Sequence, residues 1–459
     1  MQPPDVNSRT RWGVLLAIGL GTFMSALDGS VVNIILPVVR EQFGASVAAV
    51  EWVITIYLLV ISALLLSVGR LGDLRGHRSV YAAGFLAFLS GSALCGLSPS
   101  VGFLIGARGV QAIGAAMLMA NAPAILTKSF PAEMRGRALG LQATMTYLGL
   151  TVGPSVGGWL ANALGWRWVF YINLPVGLAA LLLALRFVPR DGGSGARQVF
   201  DLRGAVTFAL GLVCLLLALN QGEAWGWSSP VTIGLLAASV ILLLAFLRIE
   251  RSVPAPMLDL SLFRQRTFSA AAGSAMLNYI CVYSMLFLLP FYLLQARALS
   301  TAHAGLLMTA QPVAMALVAS LSGSVSDRIG TRLPSVIGMG LLAVALWLLS
   351  GLSANTPLWV FAAKLGLAGL GIGVFVSPNN SALMGAAPAH RQGIAAGTLA
   401  LARNVGMVIG VALAGAIYTI VLGHHVAGEA AAILEALRIA YLSAAGIALV
   451  GMGIAALRS

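Results

Sequence analysis

The sequence predicts an all-α polytopic membrane protein with fourteen spanning helices. Of its 459 residues, 59% are hydrophobic and only 9% are charged, and the mean hydropathy is +0.94. A soluble domain carries a charged fraction near 25%, whereas a helix that crosses a bilayer core of about 30 Å needs about 20 apolar residues. The chain divides into about fourteen apolar segments of that length.

The basic residues predict the topology of these segments. Of the 27 lysines and arginines, 20 lie on one side of the predicted spans. Cytoplasmic loops are enriched in such residues, so both termini are expected in the cytoplasm of a cell membrane (inner or plasma membrane), which requires an even number of spans. The net charge of +13 therefore reflects topology, and no nucleic-acid partner is expected. The opposite loops hold only Arg40, Arg167, Arg297 and Arg438.

The predicted spans fall into three regions. A first half, residues 1–187, has six spans, at 12–37, 50–69, 79–97, 102–123, 137–160 and 169–187. A middle region, residues 188–266, has a glycine-rich linker, basic connections and two spans, at 204–220 and 230–248. A second half, residues 267–459, has six more, at 268–292, 304–325, 334–352, 357–378, 392–421 and 438–457.

In the first span, Asp28 is the only charged side chain between Trp12 and Leu36. An acid at that depth costs about 2.5–3.5 kcal/mol on insertion scales and normally faces water or a partner. We interpret Asp28 as a residue that gains and loses a proton; the alternative is a tolerated acid near a helix end. Glu51, which opens the second span, is interpreted as a helix-start acid and not as a site.

A tight, glycine-rich turn joins the second and third spans and places an acid among arginines. It contains Gly69, Gly72, Asp73, Arg75, Gly76 and Arg78. In the fourth span, Arg108 and Gln111 are three residues apart and therefore share a helix face. A buried arginine stays charged and needs a carboxylate, carbonyls or water; alternatively, Arg108 extends to the membrane interface.

The fifth span combines a smooth glycine face with a proline. Small residues at four-residue steps allow close helix approach, and the proline removes a backbone donor and bends the helix. From the sequence alone, a packing role and a gating role are equally compatible with this pattern. The residues are Gly149, Gly153, Pro154, Gly157 and Gly158.

The sequence repeats itself at an offset of 253 to 257 residues. The turn residues Gly69, Asp73, Gly76 and Arg78 recur as Gly323, Asp327, Gly330 and Arg332, and the fifth-span glycines Gly149, Gly153 and Gly158 recur as Gly406, Gly410 and Gly415. The two inserted spans have no repeat partners. Such a parallel duplication of six spans is typical of major-facilitator transporters, with a site near the midplane between the halves.

The two halves differ at the positions of interest. Asp28 is matched near Cys281 and Pro154 near Val411, while Arg108 is matched within one residue by Lys364. The acid and the glycine–proline bend thus belong to the first half alone. Such a difference between the halves is expected if the first half contains a proton-coupling site.

The chain resembles the fourteen-helix drug:proton antiporter family of the major facilitator superfamily over essentially its whole length. The resemblance rests on five stretches: 27–37, 69–78 (where Leu74 replaces a usual basic residue), 108–114, 149–158 and 165–177. It implies that Asp28 carries the coupled proton and that Arg108 responds to its charge. It also implies that the glycine–proline stretch of the fifth span rocks and seals. A cytoplasmic latch is implied for the turn residues above and for Gly323, Asp327, Arg328 and Gly330.

Spans one, two, four and five and their repeats are expected to line a substrate cavity. The internal charges are one acid and three bases, which disfavours a divalent cation and favours monovalent-cationic, zwitterionic or neutral amphipathic compounds. The candidate lining residues are Met24, Asn33, Tyr57, Gln111, Gln142, Asn278, Tyr283, Gln311, Lys364, Asn380 and Arg403.

The sequence thus predicts a proton-coupled exporter of amphipathic small molecules such as drugs, antibiotics and dyes. Its expected partners are the lipid bilayer, protons and those substrates, and it is expected to be a monomer. A lipid or lipid-precursor flippase on the same fold is the alternative, and a non-transporting membrane sensor is a more distant one. No enzyme activity, cofactor or metal site is expected, because the chain has only five scattered histidines and no paired intramembrane acids.

Overall fold

The computed structural model describes residues 8–190, 201–226, 228–253, 261–388, 392–424 and 429–458. Within these ranges the long elements are all helices. The first six are α1 (Ser8–Phe43), α2 (Val47–Arg75), α3 (His77–Gly96), α4 (Val101–Ser129), α5 (Ala132–Ala163) and α6, which has two parts, Trp168–Tyr171 and Asn173–Phe187.

The remaining eight helices complete the chain. Two lie in the middle region, α7 (Leu202–Trp225) and α8 (Pro230–Glu250). The other six are α9 (Arg266–Phe291, extended by a π-helical turn, Tyr292–Ala296), α10 (Thr301–Met308 and Ala310–Ile329), α11 (Arg332–Ser350), α12 (Leu358–Gly385), α13 (Gln392–His424) and α14 (Glu429–Ala456).

The predicted all-α membrane fold is confirmed. Thirteen helices of the described ranges are long and apolar enough to cross a membrane. The predicted span at 137–160 corresponds to α5, which has 32 residues but does not meet that standard of apolarity. The glycines, threonines and serines of α5 lower its mean hydropathy. They are tolerated because α5 packs mainly against other helices, α1 and α10, and not against lipid.

The local signals at helix ends explain where the chain turns. Ser46 and Ser100 accept hydrogen bonds from the backbone N–H groups of Ala49 and Phe103, which caps α2 and α4. Gly76 and Gly330 follow α2 and α10 with φ angles of 90° and 84°. This region of φ is accessible mainly to glycine. The two glycines are 254 residues apart, so the sequence duplication is also present in the backbone conformation.

The packing of helices also repeats between the halves. In the first half α1 packs on α5 and α3 on α4; in the second half α9 packs on α13 and α11 on α12. The two largest interfaces between the halves are those of α5 with α10 and of α2 with α13. The repeat relates α2 to α10 and α5 to α13, so these two interfaces are equivalent. The inserted helices α7 and α8 pack on each other, and α7 lies against both α2 and α13.

A buried arginine follows the last helix. Arg458 donates to Ser335 at 2.9 Å, to Ser274 at 2.6 Å and to the side-chain oxygen of Asn379. Burial lowers the pKa of Arg458 to about 10, so it stays charged at neutral pH. These contacts tie the end of α14 to α9, α11 and α12.

The halves meet at one face of the bundle and separate at the other. We call the face where α1 begins and α2 ends the basic face, since it carries Arg70, Arg75 and Arg78, and the other the opposite face. Near the opposite face, Gly158 of α5 and Gly305 of α10 touch so closely that a Cβ on either would overlap a backbone carbonyl oxygen of the other helix. The two backbones are in direct contact at this point, so the α5–α10 interface is closed near the opposite face.

Candidate functional site

A cavity of about 1140 Å³ lies between the two halves. Its wall comes mainly from α1, α2, α4 and α5 of the first half and from α9, α10, α12 and α13 of the second, and α3 adds His77 and Tyr81. Arg70, Thr127, Met384 and Ile394 line it near the ends of their helices at the basic face. The cavity therefore reaches from the middle of the bundle to the basic face, while the α5–α10 interface closes the opposite face.

Asp28 is fully buried in the first half, beside this cavity but not on its wall. Its Oδ2 atom accepts a hydrogen bond from Arg108 Nη1 at 2.6 Å. Its Oδ1 atom accepts from Gln111 Nε2 at 2.9 Å and from Asn173 Nδ2 at 2.8 Å. All three partners donate, and Asp28 donates to none of them, which is the pattern of an ionised carboxylate.

Arg108 connects this carboxylate to the cavity. It is 1% exposed, yet it lines the cavity wall together with Tyr57. Its guanidinium carbon lies 3.9 Å from the centre of the Tyr57 ring, and its Nε atom donates to the backbone oxygen of Val53 at 3.2 Å. A cation–π contact, a charged pair and a carbonyl together satisfy a charge that would be costly alone.

A second set of polar residues holds the partners of Asp28 in place. Ser92 accepts from Gln111 at 3.2 Å and from Asn173 at 2.9 Å, and donates to the backbone oxygen of Phe170 at 2.8 Å. Asn173 begins the longer part of α6, directly after the break at Ile172. Asn173 and Ser92 are not among the site residues predicted from the sequence. The available signal was a neutral amide at the start of an otherwise apolar segment.

Most of the predicted lining residues face the cavity. These are Asn33, Tyr57, Gln142, Tyr283, Gln311, Asn380 and Arg403. Arg403 points into it without a hydrogen bond or ion pair to any residue that the structure describes. Further aromatic and sulfur side chains extend the apolar part of the wall, among them Tyr279, Met308 and Met407.

Four predicted lining residues lie elsewhere. Gln111 is fully buried and belongs to the Asp28 network. Met24 is 1% exposed and packs toward Gly177 of α6. Asn278 is buried against Met339 of α11, 3.4 Å from its sulfur. For these three, the helix turns the side chain into its own half and away from the partner half.

Lys364 is the fourth, and its expected place in the cavity is wrong. Its Nζ atom donates to the backbone oxygen of Leu348 at 2.7 Å, and it lines a separate pocket with Arg438. No carboxylate stands at the position that matches Asp28, where Cys281 donates instead to the backbone oxygen of Ala444 at 3.2 Å. The lysine therefore has nothing of opposite charge to draw it inward.

The charges around the cavity also differ from the expectation. Besides Arg108, the acidic and basic residues on its wall, apart from His77, are Arg70, Arg403 and Asp201, the last near the start of α7. Asp28 is behind Arg108 and already paired. The wall is therefore positive in balance, and a cationic compound gains little from it.

Glu51, interpreted from the sequence as a helix-start acid, is buried at an interface between helices. It is 2% exposed, and its carboxylate lies against Gly415 of α13, where a Cβ would overlap it. This contact belongs to the α2–α13 interface near the opposite face. The glycine provides the space for the acid, so Glu51 is part of the closure between the halves.

The glycines of α5 have two different surroundings. A Cβ on Gly149 would lie 2.5 Å from the backbone oxygen of Phe23, and Gly153 and Gly157 meet Ser30 and Val31, so these three pack α5 onto α1. Gly158 instead faces Thr301, and the backbone oxygen of Pro154 faces Gly305. The same stretch thus serves packing within the first half and contact between the halves.

The two repeated turns are described only in part, because the side chains of Asp73 and Asp327 lie outside the described ones. Gly72 packs against Asn121 and His77, whose side chains are 2.8 Å apart. Arg78 donates to the backbone oxygen of Leu185. Of the other predicted latch residues, Arg75, Arg328 and Gly330 are exposed, and Gly69 and Gly323 are partly exposed. The latch itself stays a prediction.

Comparison with known proteins gives one consistent result. The family model described as Major Facilitator Superfamily matches residues 18–255 and 271–458. The riboflavin transporter RibZ of Clostridioides difficile (strain 630) is 35% identical over 406 residues, which cover 88% of this chain and 87% of that protein. Multidrug resistance protein Stp of Mycobacterium tuberculosis (strain H37Rv) is 34% identical over 411 residues, or 89% of this chain and 76% of that protein.

The fold has solved counterparts. The crystal structure of a bacterial homologue of the human lysosomal transporter Spinster, in an inward-facing and unoccupied conformation, superposes with a TM-score of 0.70. The superposition covers 98% of this chain and 97% of that one, with 16% sequence identity.

Proposed function

The chain belongs to the major facilitator superfamily, and from that premise we propose that it is a proton-coupled transporter that exports amphipathic small molecules by alternating access. It is a multi-pass membrane transporter and not an enzyme. The proposal adds the direction of transport, the coupling ion and the class of substrate. The observation that carries it is the 2.6 Å pair between Asp28, sealed in the first half, and Arg108, on the cavity wall.

The proposal takes the basic face as cytoplasmic, in accordance with the distribution of lysine and arginine. The cavity then opens to the cytoplasm, and the two interfaces near the opposite face keep it closed to the outside. In this state Asp28 is ionised and paired. An exporter in this state has released its proton inward and is ready to take up substrate from the cytoplasm.

Protonation of Asp28 would remove the counter-charge of Arg108. A buried arginine without its partner is strongly unfavourable, so Arg108 and the stacked Tyr57 would move relative to the cavity wall. That movement couples the proton to the substrate site without direct contact between them. The membrane potential contributes about 2.3 kcal/mol per charge for each 100 mV, and the pH gradient adds to this driving force.

The cavity wall favours neutral, zwitterionic or anionic amphipathic compounds that contain aromatic rings. Tyr57, Tyr279 and Tyr283 offer ring faces, Asn33, Gln142, Gln311 and Asn380 offer hydrogen bonds, and Arg403 offers a charge without a partner among the described residues. Methionine side chains adapt to different shapes. The sequence favoured monovalent-cationic, zwitterionic or neutral compounds. The proposal replaces the cationic class with an anionic one, since Asp28 is already paired with Arg108.

The test is transport in proteoliposomes with an imposed pH gradient. The panel contains riboflavin, a neutral drug, an anionic dye and a cationic dye, because the relatives are named for riboflavin and for drugs. A fluorescent phospholipid is added to test the flippase alternative. Wild type should move at least one compound against its gradient only when the pH gradient is present. Asp28→Asn should abolish that transport, while Glu435→Gln, an acid of α14 away from the cavity, should leave it unchanged.

Two outcomes would contradict the proposal. Gradient-driven transport by Asp28→Asn at the wild-type rate would end the coupling role of Asp28. Transport that is equal with and without the pH gradient would end proton coupling altogether. If only fluorescent phospholipids moved, the alternative of a lipid flippase would replace drug export.

A further inference from the structure

A second pocket, of about 590 Å³, lies in the second half near the opposite face. The end of α11 and the loop after it form its floor, and α12 and α14 contribute Lys364, Arg438 and Leu442. It shares no lining residue with the central cavity. The transport mechanism makes no use of it.

Two cations line this pocket, and none of its lining residues is acidic. Lys364 donates only to the backbone oxygen of Leu348, and no ion pair or hydrogen bond joins Arg438 to another of the described side chains. Glu435 stands one turn before Arg438 on α14 but does not pair with it in the described structure. Two like charges placed together without an acid among the lining residues attract an anion.

The repeat explains why these charges are left without an acid. Lys364 occupies the position that matches Arg108, whose partner is Asp28. In the second half the matching acid is replaced by Cys281, which is buried and donates to a backbone oxygen. The second half thus has a cation at this position and no acid at the position that would pair with it, and the charge lies at the pocket.

The surroundings of the pocket are those of a lipid-facing surface. Neither α11 nor α14 contributes to the central cavity, and both helices expose large apolar side chains, with Trp347 62%, Val344 48% and Leu442 42% exposed. Lys364 lies six residues into α12 and Arg438 nine residues into α14, about 9 and 14 Å from the helix starts. Their long side chains can reach the headgroup level from that depth.

We propose that this pocket binds an acidic phospholipid from the leaflet at the opposite face. The phosphate would lie between Lys364 and Arg438, since guanidinium and ammonium groups are the usual partners of phosphate. The acyl chains would pack on Trp347 and Leu442, and tryptophan is enriched at this level of the bilayer. A soluble anion would match the charges but not the apolar surface.

The test measures lipid binding to the full-length, delipidated protein by native mass spectrometry. Phosphatidylglycerol, phosphatidylcholine and glycerol 3-phosphate are added separately. Wild type should bind one phosphatidylglycerol tightly, and the double variant Lys364→Gln/Arg438→Gln should bind it at least tenfold more weakly. The matched control, Arg264→Gln/Arg266→Gln, loses the same charge from exposed residues at the basic face and should bind as wild type does.

Further variants separate loss of the site from loss of the fold. Arg438 is exposed, so Arg438→Gln alone should fold and should still weaken binding severalfold, and the conservative Lys364→Arg should retain it. Equal binding by wild type and the double variant would overturn the proposal, as would equal affinity for phosphatidylcholine. Displacement of phosphatidylglycerol by glycerol 3-phosphate would show a site for soluble anions and overturn the lipid assignment.

Discussion

At Asp28 the physical question is how a carboxylate can be fully buried and ionised in a membrane protein. Three donors surround it, from α4 and α6, and each donor is held by a further contact. Hydrogen bonds to a charged group contribute about 1.5–3 kcal/mol each, enough together to offset much of the cost of burial. The Asp28–Arg108 pair is therefore stable only when both charges are present. If one charge is removed, the other is left buried without a counter-ion, which is strongly unfavourable.

This dependence predicts an order of stability among variants. Arg108→Gln leaves Asp28 charged without a counter-ion and should destabilise the protein by about 3–5 kcal/mol. The double variant Asp28→Asn/Arg108→Gln removes both charges and should unfold at a higher temperature than the single variant. Thermal unfolding in detergent, followed by tryptophan fluorescence, measures the midpoints. A double variant no more stable than Arg108→Gln would mean that the pair is not energetically coupled.

The sequence identified the residues of this pair but not all of their partners. Asp28, Arg108 and Gln111 stand out because charged and amide groups are rare in apolar helices. Asn173 and Ser92 do not stand out, because neutral polar residues also occur singly in helix cores. The wrong assignment of Lys364 has a related cause: spacing places a residue on a helix, but the packing of neighbouring helices decides which way its side chain points.

At the scale of helices, the sequence predicted all fourteen positions and missed their true lengths. The predicted second span, 50–69, lies within α2 (Val47–Arg75), and the predicted first span, 12–37, within α1 (Ser8–Phe43). Apolarity ends where the bilayer ends, whereas the helix continues until a capping residue or a glycine stops it. The turns at Gly76 and Gly330 supply such stops, and the sequence shows them as a glycine-rich turn that recurs in the second half.

At the α5–α10 interface, we expect a single added methyl group to separate the two helices near the opposite face. In Gly158→Ala the new Cβ would overlap the backbone oxygen of Thr301, which cannot rotate away. In Gly415→Ala it would overlap only the carboxylate of Glu51, which can rotate. Gly158→Ala should therefore disfavour the state that is open to the basic face, and Gly415→Ala should do so less.

The measurement is the alkylation rate of a cysteine placed at Ala124, on the wall of the cavity. The background carries Cys214→Ser, since Cys95 and Cys281 are buried. Labelling should slow severalfold in Gly158→Ala. The control Gly106→Ala, where nothing lies within 4 Å of the new Cβ, should label at the parent rate. An unchanged rate in Gly158→Ala would mean that this contact does not hold the closed face.

For the whole molecule, the two interfaces between the halves are equivalent by the repeat but different in chemistry. Glu51 of α2 matches Gly305 of α10 at the offset of 254 residues. One interface therefore joins glycine to glycine through backbone contact, and the other joins a buried acid to a glycine. If the bundle opens at the opposite face, the glycine pair separates without exposing charge, whereas Glu51 becomes exposed to water. The asymmetry seen at Asp28 thus extends to the closure of the bundle.

The charge of the cavity wall gives a prediction about selectivity that involves both halves. Asp28 is paired within the first half, so the balance of the wall depends strongly on Arg403 of the second half. Arg403→Gln should raise the KM of an anionic substrate about tenfold, since a charge-assisted hydrogen bond contributes about 1.5–3 kcal/mol, and should change that of a neutral one little. Arg403→Glu should in addition improve transport of a cationic dye.

Arg264→Gln is the matched control for this prediction, since it removes the same charge from an exposed residue that lines neither the cavity nor the second pocket. Transport of all three classes should be unchanged in it. If Arg403→Gln lowered the transport of every substrate equally, the arginine would act on the conformational cycle and not on selection. The two cases are distinguished by measuring substrate binding to the detergent-solubilised protein without a gradient, because only a role in selection changes the affinity for the anionic compound relative to the neutral one.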